Sequence, residues 1–175
     1  MLIPVRRIIT CDNSNGRSTV LSDGPATHCI GGLTELWTTG KAPHDHSSTT
    51  DHGELSNSLE PPASGTVFRF FQIPPEADTA HLSLEEKAKA WGDLFARMNA
   101  AHVQPDTTRD PGMHKSSTTD YIILLQGSIT LVLDEAEVEM KPFDVVIQRG
   151  TNHSWVNRGD VDALLMAVLV DARGS

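Results

Sequence analysis

The chain has 175 residues, of which 38% are hydrophobic, and a formal net charge of −9 at pH 7. This length allows one domain with a packed core, and we expect a single domain over 1–175. An acidic chain without a basic block argues against binding to nucleic acid or to an anionic membrane. No segment approaches the ~20 apolar residues of a membrane span, and the first residues lack a signal-peptide pattern, so we expect a cytoplasmic protein.

The first hundred residues predict strands that a long polar segment interrupts. The predicted strands cover 5–12, 17–22, 33–39 and 66–73. The first two are joined through Asn15-Gly16, which suits a tight hairpin turn. Residues 40–65 are rich in Ser, Thr, Pro and His, which predicts a long loop, either a mobile segment or a lid over a site. The two cysteines have no CxxC spacing, so neither a disulfide scaffold nor a zinc knuckle is expected.

One helix follows, and after it the chain turns to short strands. Ser83 and Glu86 form a capping box that predicts the start of the helix. An apolar stripe of Trp91, Leu94, Phe95 and Met98 predicts a face that packs in the core. The predicted strands cover 120–126, 128–134, 136–141, 144–149, 153–157 and 163–170. Such closely spaced strands are typical of an antiparallel sandwich or barrel, with the apolar strand 163–170 at its centre.

Two segments in this region place a histidine beside an apolar strand. The first contains His114, Ser116, Asp120 and Gly127, and the second contains Gln148, Gly150, His153 and Asn157. They resemble the two signature motifs of the cupin superfamily. The first motif departs from the family, since Ser116 replaces a second histidine and Asp120 replaces a glutamate. In the second, Gln148 stands where the family has proline, and Phe143 replaces a glycine.

The resemblance implies an all-β fold, a jelly-roll barrel with an N-terminal strand extension and one helix. Motif-level similarity covers about 103–171, while residues 1–100 match only loosely. Small cupins often pair their N-terminal strands between subunits, so the resemblance also implies a homodimer. The resemblance further implies that the protein binds a small-molecule substrate within the barrel.

Strand geometry adds a prediction about the site. Because side chains alternate across a strand, His153, Trp155 and Asn157 share one face, and an inward Asp120 requires an outward Tyr121. Convergence of His114, Asp120 and His153 at one barrel mouth would form a small-molecule pocket. The predicted catalytic residues are therefore His114, His153 and Asp120.

Further residues are candidates for substrate binding, each with a purely structural alternative. They are Trp37, Arg69, Trp155, Gln148 and Asn157. Trp37 and Trp155 would form aromatic walls, although tryptophans more often pack in the core. Arg69 would reach a pocket carboxylate or leave at the sheet edge, with the edge favoured. His44, His46 and His52 lie in the polar loop, where no strand fixes the geometry that a metal site needs.

The altered first motif leaves the cofactor open between none and a single divalent metal. If a metal is bound, its predicted ligands are His114, Asp120 and His153. Two histidines and one carboxylate are also the ligands that non-haem iron oxygenases place on one face of the metal. Without a metal, the histidine pair supports acid–base chemistry, because histidine titrates near neutral pH. By family analogy, the leading hypothesis is a dehydratase or decarboxylase, a lyase of secondary metabolism. The alternatives are a metal-dependent dioxygenase or isomerase and a non-catalytic ligand-binding barrel.

Overall fold

The computed structural model describes residues 1–42, 44–54 and 57–173. Eleven strands and one α-helix are assigned within these ranges. In chain order they are β1 (Arg6–Asp12), β2 (Ser18–Pro25), β3 (Cys29–Ile30), β4 (Leu33–Thr39), β5 (Thr66–Ile73), α1 (Leu84–Arg97), β6 (Thr118–Gln126), β7 (Ile129–Leu133), β8 (Glu137–Met140), β9 (Val145–Arg149), β10 (His153–Val156) and β11 (Ala163–Asp171). Short 3₁₀ helices cover Glu76–Thr79 and Ala101–Val103.

Two antiparallel sheets form the barrel. The larger has the strand order β3-β4-β5-β11-β6-β9, and the smaller has the order β10-β7-β8. The inward side chains of the two sheets meet in one apolar core that includes Leu124, Ile129, Leu131 and Leu165. The expected all-β jelly-roll barrel is therefore confirmed. The sequence did not predict β3, because this strand has only two residues, too few to show an alternating pattern.

β11 holds the larger sheet together from its centre. It pairs with β5 on one side and with β6 on the other, in antiparallel register. Its inward residues, which include Ala163, Leu165 and Ala167, are almost fully buried, and the residues between them are half-buried. The predicted central position is correct.

α1 packs its apolar stripe beside the barrel. The Ser83 side chain accepts a hydrogen bond from the Glu86 backbone, and the Glu86 side chain accepts one from the Ser83 backbone, so the predicted capping box is present. Phe95 and Met98 belong to a second apolar cluster, against which Trp91 and Leu94 also pack. This cluster holds the helix at the opening between the two sheets.

The polar segment after β4 is tied to the barrel at several described positions. The Asp51 carboxylate pairs with the guanidinium of Arg7, which also donates to the carbonyl of Leu36. The His52 ring stacks on Trp37, and its Nδ1 lies 3.0 Å from the Thr38 carbonyl oxygen. The predicted loop covers 40–65, of which Pro43, Leu55 and Ser56 lie outside the described residues.

β1 and β2 form a separate hairpin outside both barrel sheets. The hairpin is the predicted N-terminal extension, and its Ile8 and Val20 are exposed. The expected homodimer and the single-domain organisation of 1–175 stay predictions. Of the helices in the described ranges, none is both long enough and apolar enough to cross a membrane.

The turn after β6 gives a direct test of the barrel geometry. Gly127 has a φ of +78°, and an added Cβ would lie 2.8 Å from the Asp162 carbonyl oxygen. We expect Gly127→Ala to lower the free energy of unfolding by about 1–2 kcal/mol or more, because left-handed backbone and a close contact both oppose the methyl group. Urea denaturation measures the change.

Gly92 in α1 provides the matched control, since nothing lies within 4 Å of its added Cβ. Gly92→Ala should raise the free energy of unfolding by up to ~1 kcal/mol, since alanine is the better helix former. Equal effects of the two substitutions would contradict the turn geometry described above.

Candidate active site

The centre of the site is a pair of histidines that the backbone holds together. His114 and His153 form an isolated antiparallel bridge, in which each N–H donates to the other residue's carbonyl, at 2.8 and 2.9 Å. The two rings consequently face each other with centroids 4.2 Å apart. Phe95 of α1 covers the His114 ring at a centroid distance of 4.9 Å. The two motif histidines therefore meet, as the sequence predicted.

Backbone carbonyls fix the protonation pattern of both rings. Nδ1 of His114 lies 2.9 Å from the Gly112 oxygen, and Nδ1 of His153 lies 2.9 Å from the Thr151 oxygen. A carbonyl oxygen only accepts hydrogen bonds, so each Nδ1 carries the proton. Each neutral ring thus keeps the lone pair on Nε2. The carbonyls of Gly112 and Thr151 therefore orient the two imidazoles.

The environment keeps both imidazoles neutral. Burial, and secondly the nearby His114, lower the pKa of His153 to about 3, while the hydrogen bond to the Thr151 carbonyl opposes the shift. Burial also lowers the pKa of His114, against the opposing hydrogen bond to Gly112. His114 as a whole residue is only partly buried, but its ring lies between Phe95 and His153. Both rings are therefore unprotonated on Nε2 at neutral pH.

Asp120 is the third polar group, and it lies on β6 in the larger sheet. Its side chain is 4% exposed, and the neighbouring Tyr121 points outward with 49% exposure. Burial raises the pKa of Asp120 to about 6, while a hydrogen bond from the Thr118 side chain and the charge of Arg69 oppose the shift. The Ser116 hydroxyl lies 2.6 Å from that of Thr118, so Ser116 supports the position of Asp120.

All three predicted catalytic residues line one cavity of about 410 Å³. The cavity lies between the two sheets and is closed on one side by α1. Its walls are mainly apolar and aromatic, and they include Phe71, Trp91, Leu94, Phe95, Met98, Ile122, Trp155 and Leu169. A concave apolar pocket with a few polar groups is the usual form of a small-molecule site.

Arg69 lies inside the barrel, so the favoured position at the sheet edge is wrong. The residue is 1% exposed, and it lines the cavity. Its Nη2 contacts the Glu35 carboxylate at 3.1 Å and donates to the Ser58 carbonyl at 2.9 Å. Sequence reasoning missed Glu35, although the register of β4 and β5 places it directly opposite Arg69. The only available signal was an acidic residue within an apolar strand.

The other predicted binding residues divide into two groups. Trp155 and Asn157 line the cavity, and Asn157 also anchors the end of β10 through bonds to the Ile73 and Val161 carbonyls. Trp37 and Gln148 do not belong to the described residues that line the cavity. Trp37 stacks on His52, and Gln148 donates to Thr151.

The predicted metal ligands do not assemble into a set. Within 1–42, 44–54 and 57–173, no group of three or more His, Cys, Asp or Glu residues is arranged to hold a metal ion. His114 and His153 offer two adjacent Nε2 atoms, and their Nδ1 bonds are of the kind that orient metal ligands. Asp120 does not join them as a third ligand, so the three-residue set does not fit a metal in this geometry.

The apolar stripe of α1 has a second role that the sequence did not indicate. Trp91, Leu94, Phe95 and Met98 pack in the second core, as predicted, and the same side chains form one wall of the cavity. Helical periodicity identifies a buried face but does not tell what the face is buried against. His44, His46 and His52 do not contribute to the described cavity lining.

Comparison with known proteins agrees with the barrel and its motifs. Residues 100–169 match the family model of the cupin domain. This match supports the resemblance of these residues to the cupin superfamily.

Several relatives share part of this region. A phomopsin biosynthesis cluster protein C' from Diaporthe leptostromiformis is 51% identical over 47 residues, which cover 26% of this chain and 25% of the relative. A cupin-domain-containing oxidoreductase, srdD of Neurospora crassa, is 38% identical over 65 residues, or 35% of this chain and 33% of the relative. The matches thus span a third or less of those relatives' lengths.

A solved structure of a Cupin 2 conserved barrel domain protein from Salinispora arenicola has a TM-score of 0.43 and 16% sequence identity. The match covers 84% of this chain and 83% of the chain in that solved structure.

The neutral histidine pair predicts a specific dependence of stability on pH. A lowered pKa in the folded state gives stability that is present above the unfolded pKa of about 6.5 and is lost as pH falls toward about 3. Wild type should have a larger free energy of unfolding than His153→Asn near pH 6.5. As the pH falls from about 6.5 to about 4, this difference should decrease by up to ~1.4 kcal/mol per pH unit. Urea denaturation at several pH values measures this difference.

Asp120 affects the pH dependence of stability in the opposite direction. Because its pKa is raised in the folded state, it stabilises the folded protein more at low pH than at high pH. Comparing wild type with His153→Asn at each pH removes this shared contribution. His81→Asn, at an exposed histidine, is the control and should keep a constant difference from wild type. A constant difference for His153→Asn as well would contradict the lowered pKa of His153.

Proposed function

We propose that this protein is a small-molecule lyase, a dehydratase or decarboxylase, that works by acid–base catalysis in its barrel cavity. The observation that carries the proposal is the facing pair of neutral imidazoles, each locked with its proton on Nδ1. The names of partial relatives, such as the phomopsin biosynthesis cluster protein, suggest that the reaction belongs to secondary metabolism.

The residues divide the proton transfers of a dehydration between them. Nε2 of His153 or His114 takes a proton from the carbon beside a carbonyl group, and that electron pair forms the new C=C bond. As the C–O bond breaks, the protonated Asp120 carboxyl donates its proton to the departing hydroxyl, and water is released. A pKa of about 6 leaves part of the Asp120 population protonated near neutrality. Proton transfer from the imidazolium to Asp120, directly or through solvent, restores the starting state.

The apolar walls strengthen this chemistry. Trp155 and Phe95 exclude water from the two imidazoles. The ring centroids of Trp155 and His153 are 5.8 Å apart, and those of Phe95 and His114 are 4.9 Å apart. In a low-dielectric cavity, a developing negative charge interacts more strongly with the fixed polar groups. A decarboxylation would use the same groups, with an imidazolium or Asp120 delivering a proton to the carbon that carbon dioxide leaves.

A metal-dependent oxidoreductase is the second candidate. Two observations favour it: the adjacent Nε2 lone pairs of His114 and His153, and the name of the srdD relative. Two histidines alone leave the ligand set incomplete, so this candidate requires a further ligand from outside the group that the described geometry assembles.

Variants of the histidines test the lyase proposal. A panel of 3-hydroxy carbonyl compounds and 2-aryl carboxylic acids, incubated with enzyme under chelator and without oxygen, should yield a product lighter by water or by carbon dioxide. His153→Asn and Asp120→Asn should each slow this reaction by about 10²–10⁴-fold, the usual contribution of a general acid or base. Mass spectrometry of the reaction mixture measures both product and rate.

His81→Asn is the matched control, because this exposed histidine lies outside the cavity lining, and it should keep the wild-type rate. Unchanged rates in both cavity variants would reject the acid–base assignment. A product that has gained oxygen or lost two hydrogens, formed only when oxygen or another oxidant is present, would favour the oxidoreductase.

Metal binding provides an independent test. Equilibrium dialysis against iron(II), manganese, nickel or zinc, followed by elemental analysis, should give well below one metal per chain in wild type. Stoichiometric metal that disappears in both His114→Asn and His153→Asn would overturn the metal-free mechanism. The exposed control His81→Asn separates site binding from adventitious surface binding.

A further inference from the structure

The cavity contains unpaired polar atoms that the proposed acid–base chemistry does not explain. Nε and Nη1 of Arg69 and Oδ1 of Asp120 are buried and have no hydrogen-bond partner among the described residues. Both residues line the cavity. Buried polar groups are nearly always paired, so unpaired ones on side chains that line a cavity require an explanation, and a bound ligand would provide one. Here two donors and one carboxyl oxygen belong to side chains that line the same cavity.

The fold fixes where these atoms lie. Arg69 on β5 and Asp120 on β6 are separated by β11, in which Ala167 is opposite Arg69 and Leu169 is opposite Asp120. Two strand spacings of about 4.8 Å and an offset of two residues along the strands, about 6.7 Å, place their backbones about 12 Å apart. The intervening side chains of Ala167 and Leu169 are apolar. A polar group bound between Arg69 and Asp120 would therefore have no other polar neighbour among these β11 side chains.

The chemistry of the three atoms selects that group. The N–H groups of Arg69 require an acceptor, and a guanidinium pairs most strongly with a carboxylate. Glu35 already occupies Nη2, which holds the guanidinium in place and leaves its other nitrogens for a ligand. A hydroxyl group on the ligand would pair with Oδ1 of Asp120 in either state, because it donates to the ionised carboxylate and accepts from the protonated carboxyl that the proposed reaction requires.

We propose that the cavity binds an apolar hydroxycarboxylic acid, with its carboxylate on Arg69 and its hydroxyl on Asp120. This inference rests on the proposed function for the reaction, and it adds the class of substrate. His114 and His153 come from the smaller-sheet side of the barrel, so they face the bound head group across the cavity. The aromatic walls around Phe71, Trp91 and Trp155 then receive the apolar body.

Three related probes separate the parts of this recognition. The first is 3-hydroxy-3-phenylpropanoate, the second is 3-phenylpropanoate, which lacks the hydroxyl, and the third is 3-hydroxy-3-phenylpropanamide, which lacks the charge. Isothermal titration of the wild-type protein measures their affinities. The carboxylate should bind about tenfold or more tighter than the amide, and the hydroxyl should add roughly three- to tenfold.

A paired variant tests the role of Arg69 without leaving a buried charge alone. Arg69→Met combined with Glu35→Gln removes both charges of the ion pair, which avoids the large penalty of an unpaired buried ion. This double variant should lose the preference for the carboxylate over the amide. Arg17→Met, in the exposed turn before β2, should keep the full preference.

The outcomes distinguish this inference from the proposed function. Equal affinity for carboxylate and amide in wild type, or no detectable binding of either acid, would overturn the inference and leave the histidine chemistry open to its own test. An unchanged preference in the folded double variant would overturn it as well. Selective binding of the hydroxy acid without loss of water or carbon dioxide from any compound of the panel would support the ligand class and count against the lyase reaction.

Discussion

The site depends on one pair of backbone hydrogen bonds, those that join His114 and His153. The segment before β6 has no other β-bridge to β10, within the described residues. Because the two backbones exchange hydrogen bonds at this point, their side chains emerge side by side, and the rings meet at 4.2 Å. The closeness of the rings and their burial together lower the pKa of His153. The electrostatic character of the cavity thus follows from a contact that involves no side chain.

The sequence was sufficient to predict the barrel and the histidine pair. Alternating apolar strands after residue 100 predict an antiparallel sandwich or barrel, and the resemblance of the motif with His153 and Asn157 to a cupin motif implies the jelly roll. The inward position of Asp120 follows from the same alternation, because Tyr121 must then face solvent. Features that depend on a period of two or on a motif could therefore be predicted.

Features that depend on pairing between distant strands could not be predicted. The charge of Arg69 favoured a position at the sheet edge, since an unpaired buried guanidinium is very unfavourable. Only the register of β4 against β5 brings Glu35 to it. Likewise, no sequence pattern shows that the carbonyls of Gly112 and Thr151 orient the two imidazoles, because backbone carbonyls are common to all residues. Trp37 was misplaced because its partner His52 lies within the long polar segment, where no pattern shows which residue will stack on it.

The position of α1 connects the site with the stability of the protein. Its apolar stripe packs on the second core with part of its surface and faces the cavity with the rest. Apolar area that faces an open cavity contributes less to folding than area in close contact with protein atoms. A ligand in the cavity would supply those missing contacts and stabilise the folded state in proportion to its binding. Such a ligand would complete the packing of the hydrophobic core with atoms that the chain itself does not supply.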